Sequence, residues 1–181
     1  RRRRIMKKEL RLSGSGGQGL ILAGIILAEA TINQGLNAIQ SQSYGPEARG
    51  GASKAEVIIG DKEIFFPKVR KPNILLALSQ KAFDQYIHDL DSKSIIVVDE
   101  SIQTNDKIEV DMIYKLPILK TASEKIGKSM VANIVALGVL TQLIPELEKQ
   151  SVLDAILQRV PQGTESLNTT AFEEGIQLIK L

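Results

Sequence analysis

The sequence predicts an α/β protein: an open, mostly parallel sheet with helices on both faces and an inserted antiparallel hairpin. Three observations predict it. An alternating strand pattern runs into a glycine cluster and then a helix. Two brief apolar runs, residues 73–79 (NILLALS) and 94–100 (SIIVVDE), read as strands covered on both faces. A period-two stretch, residues 52–59, ends at Gly60-Asp61, a two-residue hairpin turn into residues 62–66.

The elements follow in order. Residues 8–13 place Leu10 and Leu12 in alternation and form the first strand. Residues 20–34 form a helix that Gly35 stops from the C′ position. Residues 36–42 give a second strand, so residues 8–42 have the size of a βαβ unit. After a loop at 43–51 comes the hairpin, in which Ala55, Val57 and Ile59 share one face. Between the two apolar runs, residues 80–90 put Phe83, Tyr86, Ile87 and Leu90 on one helical stripe. Residues 107–116 supply a further strand or pair. Thr121-x-x-Glu124 is a capping box that opens a long helix to about Ile144, and residues 151–160 and 165–181 close the fold as helices.

Composition narrows the chemistry. The chain of 181 residues has no cysteine, which removes disulfides, thiol nucleophiles, Cys-ligated zinc and thiolate-held iron–sulfur clusters. His88 is the only histidine. Four phenylalanines and three tyrosines leave little for a base-stacking surface, so no nucleic acid is expected. Residues 1–5 precede Met6 and read as an expression remnant, leaving residues 6–181 as a single domain. Without the four leading arginines, 19 basic residues face 21 acidic ones, a net charge of −2. An Arg-rich nucleic-acid arm is the rival reading of that stretch. The apolar run at 20–28 stops at Glu29, and residues 130–144 are interrupted by Asn133, Thr141 and Gln142, whereas a membrane span needs about 20 apolar residues. A cytoplasmic protein with no membrane contact is expected.

Gly14, Ser15, Gly16, Gly17, Gln18 and Gly19 satisfy G-x-G-x-x-G between a strand and a helix, the context of a Rossmann-like fold. In that reading Gly14 permits the tight turn, Gly16 lets a ligand approach the backbone, and Gly19 lets helix and strand pack closely. Free N–H groups at the helix start would attract an anion. A dinucleotide site also needs an acid about 20 residues on, or an arginine for a 2′-phosphate. No acid lies between Ala30 and Pro46, and Gln40, Ser41 and Gln42 stand in the second strand instead. The loop is then either a classical dinucleotide site, a tightly packed turn, or a seat for a different anion.

Ser43, Tyr44, Gly45, Pro46, Glu47, Ala48, Arg49, Gly50 and Gly51 form a second dense motif. Arg49 between glycines could clamp a carboxylate or phosphate. Equally, Glu47 and Arg49 could hold the loop's own backbone or a partner subunit. His88 falls off the apolar stripe and faces solvent. Asp99 and Glu100 end a strand, where they are a solvated pair or, less simply, magnesium ligands or bases. Asn133, in the most apolar helix, reads as a hydrogen-bonded core or interface group. No nucleophile–base pair, metal cluster or redox thiol is present, so no catalytic residue and no metal ligand is assigned.

With GSGGQG at 14–19, SYGPEARGG at 43–51 and NIVALG at 133–138, the chain resembles the gamma subunit of the 2-oxoacid:ferredoxin (acceptor) oxidoreductases, from about Lys8 to the C-terminus. The resemblance is closest to the 2-oxoglutarate type. It implies a subunit rather than a whole enzyme of central metabolism. Partner alpha and beta subunits would hold thiamine diphosphate and Mg2+ between them, and cysteine-bearing subunits, a delta ferredoxin-like one among them, would hold iron–sulfur clusters. The complex would decarboxylate a 2-oxoacid oxidatively, form the acyl-CoA and pass two electrons to ferredoxin or another acceptor. No cofactor is expected on this chain alone. The two glycine loops are expected to form a crest against the alpha chain near the approach of coenzyme A. Expressed alone, such a chain would hide its partner face by self-association as a homodimer. The alternatives are a stand-alone flavin- or nucleotide-binding Rossmann-like oxidoreductase that uses GSGGQG directly, and a pure scaffold.

Overall fold

A computed structural model of the chain describes residues 6–43, 51–105, 108–110 and 112–180. One six-stranded sheet runs through it, in the order β2-β3-β1-β4-β5-β6. The strands are β1 (Lys7–Gly14), β2 (Asn37–Gln42), β3 (Ser53–Gly60), β4 (Ile74–Ala77), β5 (Ile95–Asp99) and β6 (Met112–Leu116). β1, β4, β5 and β6 pair in parallel, while β3 is antiparallel to both β1 and β2. β1 and β2 therefore point the same way, as a βαβ unit requires, with β3 inserted between them. Helix α1 (Leu20–Asn33) makes that crossover, and Gly35 behind it takes φ +81.

The antiparallel element is the β2–β3 pair, and the second arm expected at residues 62–66 is a correction: that segment is not a strand. β3 hydrogen-bonds β1 along residues 53–60 and β2 along 55–60, so neither of its edges is left for a hairpin partner. The long helix expected from Thr121 is a second correction. Helix α3 (Ile118–Lys120) runs on as a π-helical turn, Thr121–Ile126, and Thr121 sits inside it, its N–H donating to the Pro117 carbonyl (2.9 Å). Gly127, at φ +87, ends this turn, and helix α4 (Ala132–Leu143) starts afresh.

Alternation along the strands sorts two cores. Leu10, Leu12, Ala55, Val57, Ile59, Ile74, Leu76 and Val97 face the larger one, which is covered by α1, α4, α5 (Lys149–Arg159) and α6 (Glu165–Gln177). Leu75, Ala77, Ile96 and Val98 face the other way, toward α2 (Gln80–Tyr86), which buries Ala82, Phe83 and Tyr86. Ser79 caps α2, its Oγ accepting from the Ala82 N–H at 3.2 Å. Helices thus lie on both faces. An Arg159–Glu29 pair ties α5 to α1. No helix among the described residues is long and apolar enough to cross a membrane.

Candidate functional site

The first glycine motif lies at the carboxyl ends of β1 and β4, where the chain leaves β1 in one direction and β4 stands on its other side. In open α/β sheets this is the edge at which ligands bind. Gly16–Gln18 form a single 3-10 turn, and Gly19 turns the chain into α1 with φ +71. The Gln18 side chain spans the gap between the two strands. Its Oε1 accepts from the Ser15 N–H at 2.8 Å, and its Nε2 donates to the Leu78 carbonyl at 3.0 Å.

These contacts revise the roles expected of the glycines. Gly14 is the close-packing position: a Cβ there would lie 2.2 Å from Gln18 Oε1 and 2.7 Å from a Leu20 methyl. Gly19 is the turn position, needing the left-handed backbone. A Cβ on it would lie 2.6 Å from Asn133 Nδ2, which donates to the Gly19 carbonyl at 3.1 Å. Asn133 is 5% exposed and joins α4 to the glycine loop, so two of the three motifs meet. Gly16 and Gly17 face open space and, with Ser15, form the exposed tip of the loop.

Gly19→Ala is accordingly expected to cost about 2 kcal/mol of stability through backbone strain and the Asn133 contact. Gly16→Ala should stay within about 0.5 kcal/mol of the parent. Urea unfolding of the two variants checks this.

Of the second motif, Ser43 and Gly51 are described, while Tyr44, Gly45, Pro46, Glu47, Ala48, Arg49 and Gly50 lie outside the described residues. The loop's anchors are fixed. The Ser43 N–H donates to the Lys54 carbonyl at 3.2 Å, and Ser53 pairs with Gly14 across β3 and β1. The β2–β3 connection therefore departs from the same sheet edge as the first motif. An apolar groove of about 170 Å3 between Leu22, Met130, Ile134, Val160 and Leu167 runs up to Asn133, with Met130 77% exposed at its rim.

The remaining candidates settle into structure. His88 is exposed and lines a cavity of about 490 Å3 with Ile87, Leu90 and Ser92, at the opposite sheet edge. The solvated Asp99–Glu100 pair is a correction: Glu100 is exposed, but Asp99 is buried. Its carboxylate accepts from the Leu119 N–H (2.9 Å), the Ser101 N–H (3.0 Å) and the Ser101 hydroxyl (2.5 Å), fixing the turn after β5 and the start of α3. Ser101, two residues on, was the available signal for this local turn. A cluster the sequence reading missed is Arg11, Glu56, Tyr86 and Asp89 beneath α2. Among the described residues no three His, Asp or Glu converge as a metal site.

Known proteins match this chain over nearly its whole length. The family model described as pyruvate ferredoxin/flavodoxin oxidoreductase matches residues 9–178. A 2-oxoglutarate synthase subunit, KorC, of Methanocaldococcus jannaschii is 52% identical, over 99% of this chain and 98% of its own. The crystal structure of a keto/oxoacid ferredoxin oxidoreductase gamma subunit from Geobacter sulfurreducens superposes with TM-score 0.82 at 44% identity, over 94% of this chain and 96% of that one. A 2-oxoglutarate:ferredoxin oxidoreductase from Magnetococcus marinus, solved with 2-oxoglutarate, coenzyme A and succinyl-CoA bound, shares the fold at 20% identity. It does so with TM-score 0.85, over 95% of this chain and 31% of that longer one.

Proposed function

The chain belongs to the pyruvate ferredoxin/flavodoxin oxidoreductase family, and from that membership we propose that it is the gamma subunit of a multisubunit 2-oxoglutarate:ferredoxin oxidoreductase. The observation that carries this reading is the end-to-end 52% identity with a 2-oxoglutarate synthase subunit. The assembly oxidatively decarboxylates the 2-oxoacid, forms the acyl-CoA and passes two electrons to ferredoxin or another acceptor. Residues 6–181 act in it as one domain, in the cytoplasm.

The donor set of this chain does not suit the redox and thiamine groups. There is no cysteine for a cluster, and the described acids and His88 do not converge on a metal. Those groups are assigned to alpha and beta chains, with a delta ferredoxin-like chain as a further partner. The chain's own part is to present a shaped edge. The Gln18 bridge and the Asn133 contact hold the Gly16–Gly17 tip rigid, and the residues 43–51 loop leaves the sheet beside it. On this reading the two loops pack against the alpha chain near the coenzyme A approach. Rigid backbone N–H groups at the start of α1 and the guanidinium of Arg49 suit an anionic ligand or carboxylate there.

Pull-down of the chain from its own cells, with the eluate identified by mass spectrometry and assayed for CoA-dependent viologen reduction, tests the reading. A thiamine-binding chain and a cysteine-rich chain, with activity on 2-oxoglutarate, are expected. Recovery of the chain alone with a bound flavin or nucleotide would overturn it. Arg49→Ala is expected to lower assembly or raise the KM for coenzyme A about tenfold, the scale of one charge-assisted contact. Unchanged assembly and kinetics would remove the second loop from the site.

A further inference from the structure

At the sheet edge opposite the glycine loop, residues 61–71 leave β3 and run in neither helix nor strand. We infer that this segment is a docking arm, whose two phenylalanines seat in an apolar socket rimmed by carboxylates on another subunit. The inference rests on the subunit reading above and names a contact for it.

Residues 61–71 (DKEIFFPKVRK) carry Lys62, Lys68, Arg70 and Lys71 against two acids, Glu63 and Asp61, the latter accepting from the Met6 N–H at 3.1 Å. Among the described residues none of these four cations has an ion-pair partner. Between them stand two aromatics that the fold does not bury: Phe65 is 86% exposed and Phe66 44%. The Arg70 guanidinium lies 4.3 Å from the centroid of the Phe66 ring. Beside them a groove of about 230 Å3 opens between Met6, Gly60, Lys62 and Ile64.

The arm is braced at its base. Val69 is buried, and its carbonyl accepts from Arg11 Nη2 at 3.4 Å. The Pro72 carbonyl accepts from the Ser94 hydroxyl at 2.9 Å, and Pro67 fixes its own φ. These contacts fix the carboxyl-terminal end of the segment, and the Asp61 N–H, donating to the Met6 carbonyl at 3.2 Å, fixes the other. Aromatic side chains and arginine held rigid at a surface are the residue types that anchor protein interfaces.

The kind of partner follows from charge and shape. Four unneutralised cations around an apolar tip steer and select an acidic surface. A second copy docking arm to arm would set four cations against four. A polybasic segment also meets anionic lipid headgroups, and the crosslink from Phe65 separates that surface from an acidic subunit. Base stacking along a strand uses several open rings, whereas Arg70 covers one face of Phe66 and leaves Phe65 as the one fully open aromatic of the arm.

The test uses the co-purified complex. Phe65→p-benzoylphenylalanine is photo-crosslinked in it, while Phe65→Ala/Phe66→Ala and Lys68→Glu/Lys71→Glu are compared with the parent for recovery of partner subunits. All four parent side chains are exposed, so the variants should melt like the parent. The expected result is a crosslink into another subunit at a peptide rich in Asp and Glu. Partner recovery should fall about tenfold in each variant, the scale of one interface anchor, and parent recovery should fall as salt is raised. Full recovery of partners by both variants would overturn the arm and leave the subunit reading standing. So would a crosslink only to a second copy of this chain, to lipid or to nucleic acid. A parent chain that recovers no subunits would overturn the subunit reading and the arm together.

Discussion

Gly175→Ala is expected to destabilise the chain by about 3 kcal/mol or more, although alanine is the better helix former by about 1 kcal/mol. Gly175 in α6 and Gly138 in α4 sit where the two helices touch. A Cβ on Gly175 would lie 2.0 Å from the Val135 carbonyl oxygen and 3.1 Å from the Gly138 Cα. A Cβ on Gly138 would lie 2.2 Å from the Phe172 carbonyl oxygen. Each obstacle is backbone, so no rotamer change relieves it, and the helices must separate. That separation opens gaps around the fully buried Val135, Val139 and Ala171. For a domain of this size the cost corresponds to a fall in Tm of roughly 6–12 °C. Gly24→Ala in α1 is the milder contrast: its Cβ would lie 3.3 Å from Ala55 Cβ and 3.5 Å from Gln40 Cγ, so a shift of a few tenths of an ångström is enough, and its Tm should fall far less than that of Gly175→Ala. An unchanged or raised Tm for Gly175→Ala would show that the α4–α6 contact is looser than described.

The same contrast between backbone and side chain explains which parts of the fold were legible in the sequence. Period-two patterns and apolar runs located β1, β3, β4 and β5 because each strand's burial follows its own residues. Strand order did not follow from them. That residues 62–66 form no strand is decided by β2 and β1, which occupy both edges of β3, and a local reading of Gly60-Asp61 does not see them. Thr121 and Glu124 have the spacing of a capping box, yet Pro117 and Ile118 begin the helix a turn earlier and Gly127 ends it. The capping-box spacing named one start, and the structure uses another.

The candidate site divides in the same way. GSGGQG was legible as a strand–turn–helix loop because glycines mark backbone need, but which glycine meets which need depends on Gln18 and Asn133, the latter far along the chain. Arg11 was illegible. Between Leu10 and Leu12 in an alternating strand it reads as a solvent-facing residue, and only α2, laid over that face, buries it.

Arg11→Met is the second large expected effect, about 3 kcal/mol of destabilisation. The guanidinium is 4% exposed, with Nε 2.9 Å from a Glu56 carboxylate oxygen, Nη1 3.5 Å from Asp89, and the Tyr86 ring 5.6 Å away. Removing it leaves Glu56 under α2 with Lys54, at 3.7 Å, as its one cation among the described residues. The loss comes from that stranded carboxylate more than from any absolute value of the pair, so Arg11→Met/Glu56→Leu should recover most of it. Urea unfolding of the double-mutant cycle reads this directly, and a double variant as unstable as the two single losses added would refute it. Arg11 also donates to the Val69 carbonyl at the base of residues 61–71. Tryptic cleavage within that segment, at Lys68 or Arg70, should therefore quicken in Arg11→Met, while hydrogen exchange of the Ser15 amide, held by Gln18 at the opposite sheet edge, keeps the parent's rate. The pair of rates separates a loosened arm from a chain that is simply less stable, because global unfolding would expose both.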